Sequence, residues 1–196
     1  MTRLFYLVIN RFISIFHTQT IKLFHSRVII DKKTIVFHRS SIINYSKTGN
    51  IIIGKNCKIG CPSKYYHGGM PFYTKIFNEG ENSNIVINNN CRINGAYIHA
   101  ERNITIGDNC VIAAGVHIID SNGHVINSTD RTKGRDKAKD IVIGENVWIG
   151  LNSIILKGSH IGNNCVISAG SVVKGSFPDN SLIIGNPAII AKHLDL

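Results

Sequence analysis

The sequence predicts an all-β fold, a parallel β-helix in which short strands stack as successive coils. The first observation is an aliphatic residue at every sixth position of the C-terminal third: Ile143, Ile149, Ile155, Ile161, Ile167 and Val173. The second is a residue that tolerates positive φ at position four of each hexad: Asn146, Asn152, Gly158, Asn164 and Gly170. The third is a small residue at position five: Ser153, Ser159, Cys165 and Ser171.

The same pattern returns upstream, in residues 53–58, 87–92, 106–111 and 112–117. One hexad cannot bury its apolar side alone, so the hexads must stack, with coils about 4.8 Å apart. We therefore expect a β-helix over residues 41–186, interrupted by loops at about 64–84 and 119–141. Residues 187–196 are expected to form a C-terminal tail.

The first forty residues form a basic N-terminal segment, with seven Lys or Arg residues against one acid. Residues 3–17 show helical periodicity. One face carries Leu4, Phe5, Val8, Phe12, Ile15 and Phe16, opposite Asn10, Arg11, Ser14 and Thr18. Two interpretations remain open. The helix packs on the body or on a neighbouring subunit, or residues 1–20 contact a membrane surface peripherally.

Composition indicates a single domain located in the cytoplasm. The inner face of the membrane is the alternative location. The chain has 196 residues and a net charge of +10, which favours polyanionic partners, but no nucleic-acid-binding motif is recognised. No apolar stretch approaches the roughly 20 residues that span a bilayer, and no signal-peptide cleavage site is recognised. Four of the five cysteines occupy hexad position five, which predicts reduced core thiols: Cys57, Cys91, Cys110 and Cys165.

Two interruptions of the repeat are candidate binding loops, because insertions in a solenoid fall on its surface. Residues 64–73 are rich in aromatic residues and Gly, and either contact a sugar or only cap the coil. The second interruption, between Ile118 and Ile143, contains His124 within a basic stretch.

The segment after that loop, residues 143–150, contains Trp148, the one tryptophan of the chain. Together with residues 155–158, 167–173 and 185–188, it resembles the hexapeptide-repeat acetyltransferases, among them the galactoside, maltose and capsular-polysaccharide O-acetyltransferases. The resemblance covers roughly residues 50–190. It implies a left-handed β-helix, a homotrimer with active sites between subunits, acetyl-CoA lying along the coils, and no required metal.

The resemblance places His124 at the position of the family's catalytic histidine. A neutral imidazole can remove the proton of an attacking hydroxyl near pH 7. The other ring N–H needs an acceptor, which is either Asp120 or a backbone carbonyl; otherwise Asp120 caps its turn. Trp148, at hexad position six, should point outward and either stack on a sugar or the pantetheine arm or pack at the trimer interface.

The resemblance suggests where acetyl-CoA binds, whereas the loops and the break in register after Ile93 suggest where the acceptor binds. Residues expected at the cofactor are Gly150, Ser168, Ala169 and Gly170 for the pantetheine, and Lys174 and Lys192 for the nucleotide end. Ile189 stands where the family often has a basic residue, which leaves Lys192 as the nearest substitute. Residues expected at the acceptor are Asn94, Tyr73 and Arg131.

The function predicted is an acetyl-CoA-dependent O-acetyltransferase acting on a sugar hydroxyl of a capsule, exopolysaccharide or lipopolysaccharide-type glycan. Two alternatives stay open, an amino-sugar N-acetyltransferase and a non-catalytic β-helix scaffold. Zinc carbonic anhydrases with this coil need a histidine cluster that the chain does not match, because His117 and His124 are seven residues apart.

Overall fold

The computed structural model describes residues 3–62, 66 and 68–195, which form one helix followed by 21 short strands. The elements are α1 (Arg3–Phe24), β1 (Val28–Ile30), β2 (Ile35–Val36), β3 (Ser41–Asn44), β4 (Ile51–Ile53), β5 (Lys58–Ile59), β6 (Lys75–Asn78), β7 (Asn84–Ile87), β8 (Arg92–Ile93), β9 (Tyr97–Ala100), β10 (Asn103–Ile106), β11 (Val111–Ile112), β12 (His117–Ile119), β13 (Ile141–Ile143), β14 (Trp148–Ile149), β15 (Ile154–Leu156), β16 (His160–Ile161), β17 (Val166–Ile167), β18 (Val172–Val173), β19 (Ser176–Phe177), β20 (Ser181–Gly185) and β21 (Ala188–His193).

The strands build a left-handed parallel β-helix, as predicted. Every third strand belongs to the same sheet, so each full coil contributes one strand to each of three faces. Face A has the order β1-β4-β7-β10-β13-β16-β19, face B has β2-β5-β8-β11-β14-β17-β20-β21, and face C has β3-β6-β9-β12-β15-β18. All neighbours are parallel except β20 and β21.

Aliphatic side chains from all three faces point into one continuous core. Along face A, Ile51, Ile85, Ile104 and Ile141 are paired from coil to coil and have no exposed surface. The six aliphatics at six-residue spacing are all buried, with at most 3% exposure for Ile161. The periodicity therefore identified the inward-facing residues correctly.

The turns between faces A and B confirm the roles predicted for Asn and Cys. Asn at position four adopts the left-handed conformation, for example at φ 60° in Asn109 and 53° in Asn146. The thiols at position five are fully buried and donate to a backbone carbonyl of the following coil. Cys91 lies 3.1 Å from the Gly107 oxygen, and Cys110 lies 3.1 Å from the Gly144 oxygen.

The structure corrects the predicted boundaries. The first coil begins at Val28, not at residue 41, because β1 and β2 already pair with β4 and β5. The strand β6 lies inside the predicted loop 64–84, so the insertion between β5 and β6 covers residues 60–74. At the other end, β21 occupies most of the predicted tail. Ile30, Val36 and Ile42 are six residues apart and buried, so the sequence already carried the signal for the first coil. The strand β6 was harder to find, because no Ile or Val lies six residues before or after Ile76.

Helix α1 packs on the first coil through its polar side. Asn10, Ser14 and Thr18 are buried together with Ile21, whereas Phe12 and Phe16 are 70% and 76% exposed. The helix covers the open edge of β2. The Val36 N–H donates to Thr18 Oγ1 over 2.9 Å, and the His38 N–H donates to Ser14 Oγ over 3.3 Å.

This orientation has a physical cause. A sheet edge exposes unpaired amide groups, which hydroxyl side chains can satisfy and aliphatic side chains cannot. The helix therefore packs on the body, as one interpretation predicts, but its apolar face points away from it. Among the described residues, no helix combines the length and the apolar content needed to cross a bilayer.

We predict that Thr18→Val destabilises the chain by about 1–3 kcal/mol, because it leaves the buried Val36 N–H without an acceptor. Thr20→Val is the matched control, since the Thr20 hydroxyl bonds only to the Phe16 carbonyl of the same helix. Urea unfolding of both variants measures the difference. Equal stability of the two variants would show that the hydroxyl contact to β2 contributes nothing.

Candidate active site

The loop of residues 120–140 leaves the coil at the edge between faces C and A, where it joins β12 to β13. It carries His124, which is exposed at an open cavity of about 490 Å³. The loop lines this cavity with Gly123, His124, Thr132, Gly134 and Arg135, and the coil lines it with Glu79, His99 and Glu101. A histidine thus faces a site with two carboxylates and a guanidinium group.

Ion pairs made by Arg135, Asp136 and Asp140 fasten the loop to the coil. Arg135 Nη1 lies 2.9 Å from Glu79 Oε1 and 3.3 Å from Glu101 Oε1. The next residue, Asp136, pairs with Lys157, and both side chains are largely covered. Asp136 Oδ2 also accepts the N–H of Asn122 over 3.2 Å, two residues before His124. These contacts restrain the loop that carries His124 at Asn122, Arg135 and Asp136.

The Asp136 contact depends on pH. Lys157, as the main cause, lowers the pKa of the Asp136 carboxyl below its ordinary value. Because the folded-state pKa is lowered, the contact is fully present above the unfolded-state pKa and is lost as the pH falls through the folded-state value. The fastening of the loop should hold at neutral pH and fail on strong acidification.

Asp120 is fully buried, and the hydrogen bonds of its carboxylate lead to the neighbouring coil and not to His124. Its two carboxylate oxygens accept the N–H groups of Glu101 and Arg102 over 2.8 and 2.7 Å, and its carbonyl accepts the Lys139 N–H over 2.9 Å. The residue thus takes the alternative role of a turn cap, here for a turn of the neighbouring coil.

Burial raises the pKa of Asp120 to about 6, although the two amide hydrogen bonds oppose the shift. A raised folded-state pKa means that Asp120 favours folding most below its ordinary pKa of 3.8 and loses that contribution as the pH rises through about 6.

Three coil residues beside His124 were not predicted: Glu79, His99 and Glu101. His99 Nε2 lies 3.2 Å from Glu79 Oε1, but the pair does not have hydrogen-bond geometry. Burial acts to raise the pKa of Glu79, yet Arg135 and His99 outweigh it and the net pKa is lowered. The sequence signal was weak, because these residues lie where the six-residue period is interrupted.

One atom from each of Glu79, His99 and Glu101 lies within 4.8 Å of the others, which is close enough to bind a metal ion. Arg135, however, already pairs with both carboxylates. A cation would have to displace this guanidinium, so we assign the group to an ion-pair network.

Aromatic rings cover the outer side of face C next to this cavity. The Phe77 and His99 rings stack with centroids 5.1 Å apart, and Tyr97 contacts both His99 and His117 at 5.8 Å. Phe72, from the insertion of residues 60–74, packs edge-on against His117 at 5.4 Å. Face C therefore presents an aromatic surface between the His124 loop and that insertion.

The structure does not bring the predicted acceptor residues Tyr73 and Arg131 to the His124 cavity. Tyr73 accepts a hydrogen bond from Arg39 and lines a small pocket beside α1. Arg131 donates to carbonyls of its own loop, Val125 and Ser128, and so stabilises the loop itself. Lys64, Tyr65 and His67 of the predicted sugar-contacting loop lie outside the described residues.

A second groove, of about 380 Å³, lies on face B around Trp148. The indole is 54% exposed, so it points outward as predicted. The other lining residues are Tyr66, Gly68, Arg92, Asn94, Val111, Ala113 and Leu151. Asn94, predicted at the acceptor, and Trp148, predicted at the cofactor, therefore share one groove.

The predicted pantetheine-binding residues continue from this groove along the edge between faces B and C. The N–H groups of Asn94, Gly150 and Ser168 each donate a hydrogen bond to a backbone carbonyl of the following coil. Gly150 is required for close packing, since a Cβ there would lie 2.6 Å from the Ala169 nitrogen. Ala169 and Gly170 are exposed at the next turn.

The two predicted nucleotide-binding lysines lie on the surface at the C-terminal end. Lys174 follows β18, and Lys192 lies on β21 opposite Leu182. One edge of the β-helix, between faces B and C, thus carries Asn94, Trp148, Gly150 and residues 168–170. His124 lies at the edge on the other side of face C.

Comparisons with known proteins agree with this architecture. The family of bacterial transferase hexapeptides (six repeats) matches residues 140–175, and the hexapeptide repeat of succinyl-transferase matches residues 84–119. Galactoside O-acetyltransferase of Lactococcus lactis is 35% identical over 108 residues, 52% of each chain. The putative lipopolysaccharide biosynthesis O-acetyl transferase WbbJ of Escherichia coli is 38% identical over 106 residues, 49% of this chain and 54% of the relative.

Among solved structures, the hexapeptide-repeat acetyltransferase VCA0836 of Vibrio cholerae, complexed with acetyl coenzyme A, aligns with a TM-score of 0.58 and 27% identity. The alignment covers 73% of this chain and 70% of that one. The chain spans about half the length of the curated relatives named above.

The chain therefore has a left-handed β-helix fold that contains hexapeptide repeats. It resembles the hexapeptide-repeat acetyltransferases, and both relatives named above carry O-acetyltransferase in their names, the second as a putative one.

We predict that Lys157→Met loosens the His124 loop, because it removes the cation that holds Asp136. Amide hydrogen exchange in residues 120–140 should accelerate by about tenfold or more, while exchange in the coils stays unchanged. Lys133→Met is the control, since Lys133 pairs with Asp130 on the exposed tip of the loop. Unchanged exchange in Lys157→Met would contradict a fastening role.

Proposed function

We propose that the protein is an acetyl-CoA-dependent O-acetyltransferase that transfers an acetyl group to a sugar hydroxyl. The observation that carries this proposal is His124, held by an ion-paired loop beside a face lined with carboxylates and aromatic rings. The relatives support the reaction class by their names, and VCA0836 supports the cosubstrate by its bound acetyl coenzyme A.

In the proposed reaction, His124 accepts the proton of the acceptor hydroxyl as its oxygen attacks the thioester carbonyl. A C–O bond forms, and the resulting oxyanion needs preorganised donors such as backbone N–H groups. Collapse of the intermediate breaks the C–S bond, and the protonated His124 returns its proton to the departing thiolate of coenzyme A. The histidine is thus regenerated in each turnover.

The edge between faces B and C is the proposed site for acetyl-CoA. Gly150, Ser168, Ala169 and Gly170 would contact the pantetheine there. Lys174 and Lys192, both exposed near the C-terminal end, would meet the nucleotide phosphates. The net charge of +10 assists the binding of such an anionic molecule.

We further propose that the protein assembles as a homotrimer. Within one chain, His124 and the Trp148 groove lie at different edges of the β-helix. A neighbouring copy that sets its Trp148 edge against the His124 edge would complete a site with both the base and the cosubstrate. The Trp148 side chain is 54% exposed in one chain, so a neighbouring copy can pack against it.

The acceptor proposed is a glycan of the capsule, exopolysaccharide or lipopolysaccharide type. Sugar rings stack on aromatic side chains through their apolar faces, and face C offers Phe77, Tyr97 and His99 for this. The carboxylates of Glu79 and Glu101 can accept hydrogen bonds from sugar hydroxyls. The location of the protein in the cytoplasm, or alternatively at the inner face of the membrane, stays a prediction.

The test measures thiol release from acetyl-CoA against a panel of neutral sugars, amino sugars and capsule-type oligosaccharides. In His124→Ala, acceptor-dependent release should fall by about 10²–10⁴-fold, while acetyl-CoA binding by calorimetry stays unchanged. His160→Ala is the matched control, since His160 is exposed on face A and outside the proposed site.

The outcomes separate the alternatives. Release with amines alone would replace O-acetylation by amino-sugar N-acetylation, because the same base can serve an amine. No release and no acetyl-CoA binding would support the non-catalytic scaffold. Full activity of His124→Ala would refute the assignment of the base.

A further inference from the structure

Helix α1 presents an unusually apolar outer surface. Phe12, Phe16 and Leu23 are 70%, 76% and 78% exposed and follow one another along the side of the helix that faces away from the coil. At 3.6 residues per turn, this line lies opposite buried Ser14 and Thr18. Leu4, Val8, Ile9, Ile13, Ile15 and Phe24 widen the exposed apolar area.

The exposure follows from how the helix is held. Its hydroxyl side faces the coil because the edge of β2 needs hydrogen-bond partners, and Ser14 and Thr18 supply them. Turning the apolar side inward would break these bonds. The apolar face is therefore fixed outward, and a contiguous apolar patch of this kind marks an interaction site.

Charge decides between the possible occupants. The helix contains three basic residues and no acidic one. Arg11 and Lys22 are exposed and lie on one flank of the apolar line, where long basic side chains reach the head groups of a lipid surface. Lys32 and Lys33, in the turn after β1, are also exposed. A second copy would bring like charges together, whereas anionic lipid complements them.

We infer that α1 is an interfacial helix that binds an anionic lipid surface, with the line from Phe12 to Leu23 inserted and its basic flank on the head groups. The helix lies along the surface and does not cross the bilayer, which agrees with the absence of a spanning helix among the described residues. This inference does not depend on the proposed enzymatic activity.

The experiment is co-sedimentation of the full chain with vesicles of phosphatidylcholine, with and without phosphatidylglycerol. We expect binding that requires phosphatidylglycerol and weakens with salt. The double variant Phe12→Ser with Phe16→Ser should lower the partition coefficient by about tenfold or more, since both rings would leave the interface. Ile184→Ser with Ile189→Ser is the matched control, since both residues are exposed apolar side chains on β20 and β21 at the other end of the coil.

A charge variant, Arg11→Gln with Lys22→Gln, should lose the preference for phosphatidylglycerol while keeping the fold, as judged by circular dichroism. Failure of the native chain to bind either vesicle would overturn the inference. So would equal loss in the Ile184 and Ile189 control. Self-association that the phenylalanine variant abolishes, without vesicle binding, would assign the face to a second copy and equally overturn it.

Discussion

Coil-to-coil pairing is the interaction on which the whole molecule depends. Each strand has only two to six residues and obtains its hydrogen bonds from the coils above and below it. The same stacking aligns the inward aliphatics, the left-handed Asn turns and the buried thiols, so one spacing of about 4.8 Å sets the geometry of every site on the surface. The edge that includes Asn94, Gly150 and Ser168 is regular for this reason.

A stack of this kind has two open ends, and the protein covers them differently. At the C-terminal end, β21 turns back and pairs antiparallel with β20. At the N-terminal end, helix α1 covers β2 with hydroxyl groups. At the N-terminal end, this hydrogen bonding holds the polar side of α1 against the coil and its apolar side towards the solvent. The need to cover the edge of β2 therefore determines which side of the helix is exposed.

Periodicity predicted what depends on local spacing. It identified Ile143 to Val173 as inward-facing, Cys110 as a core thiol and Trp148 as outward-facing, and the family resemblance supplied the handedness. Periodicity could not identify Arg135 as the partner of Glu79 and Glu101, because these three residues meet only when three coils have stacked. Nor could it orient α1, since amphipathic spacing separates two sides of a helix without saying which one needs hydrogen bonds.

The buried thiols have a consequence for how the solenoid unravels. Cys57, Cys91, Cys110 and Cys165 lie on one inner corner at different heights, and each is sealed by the coil that follows it. A thiol in that position is chemically inert until its coil opens. The order in which the four thiols become reactive therefore reports the end from which the coils unfold.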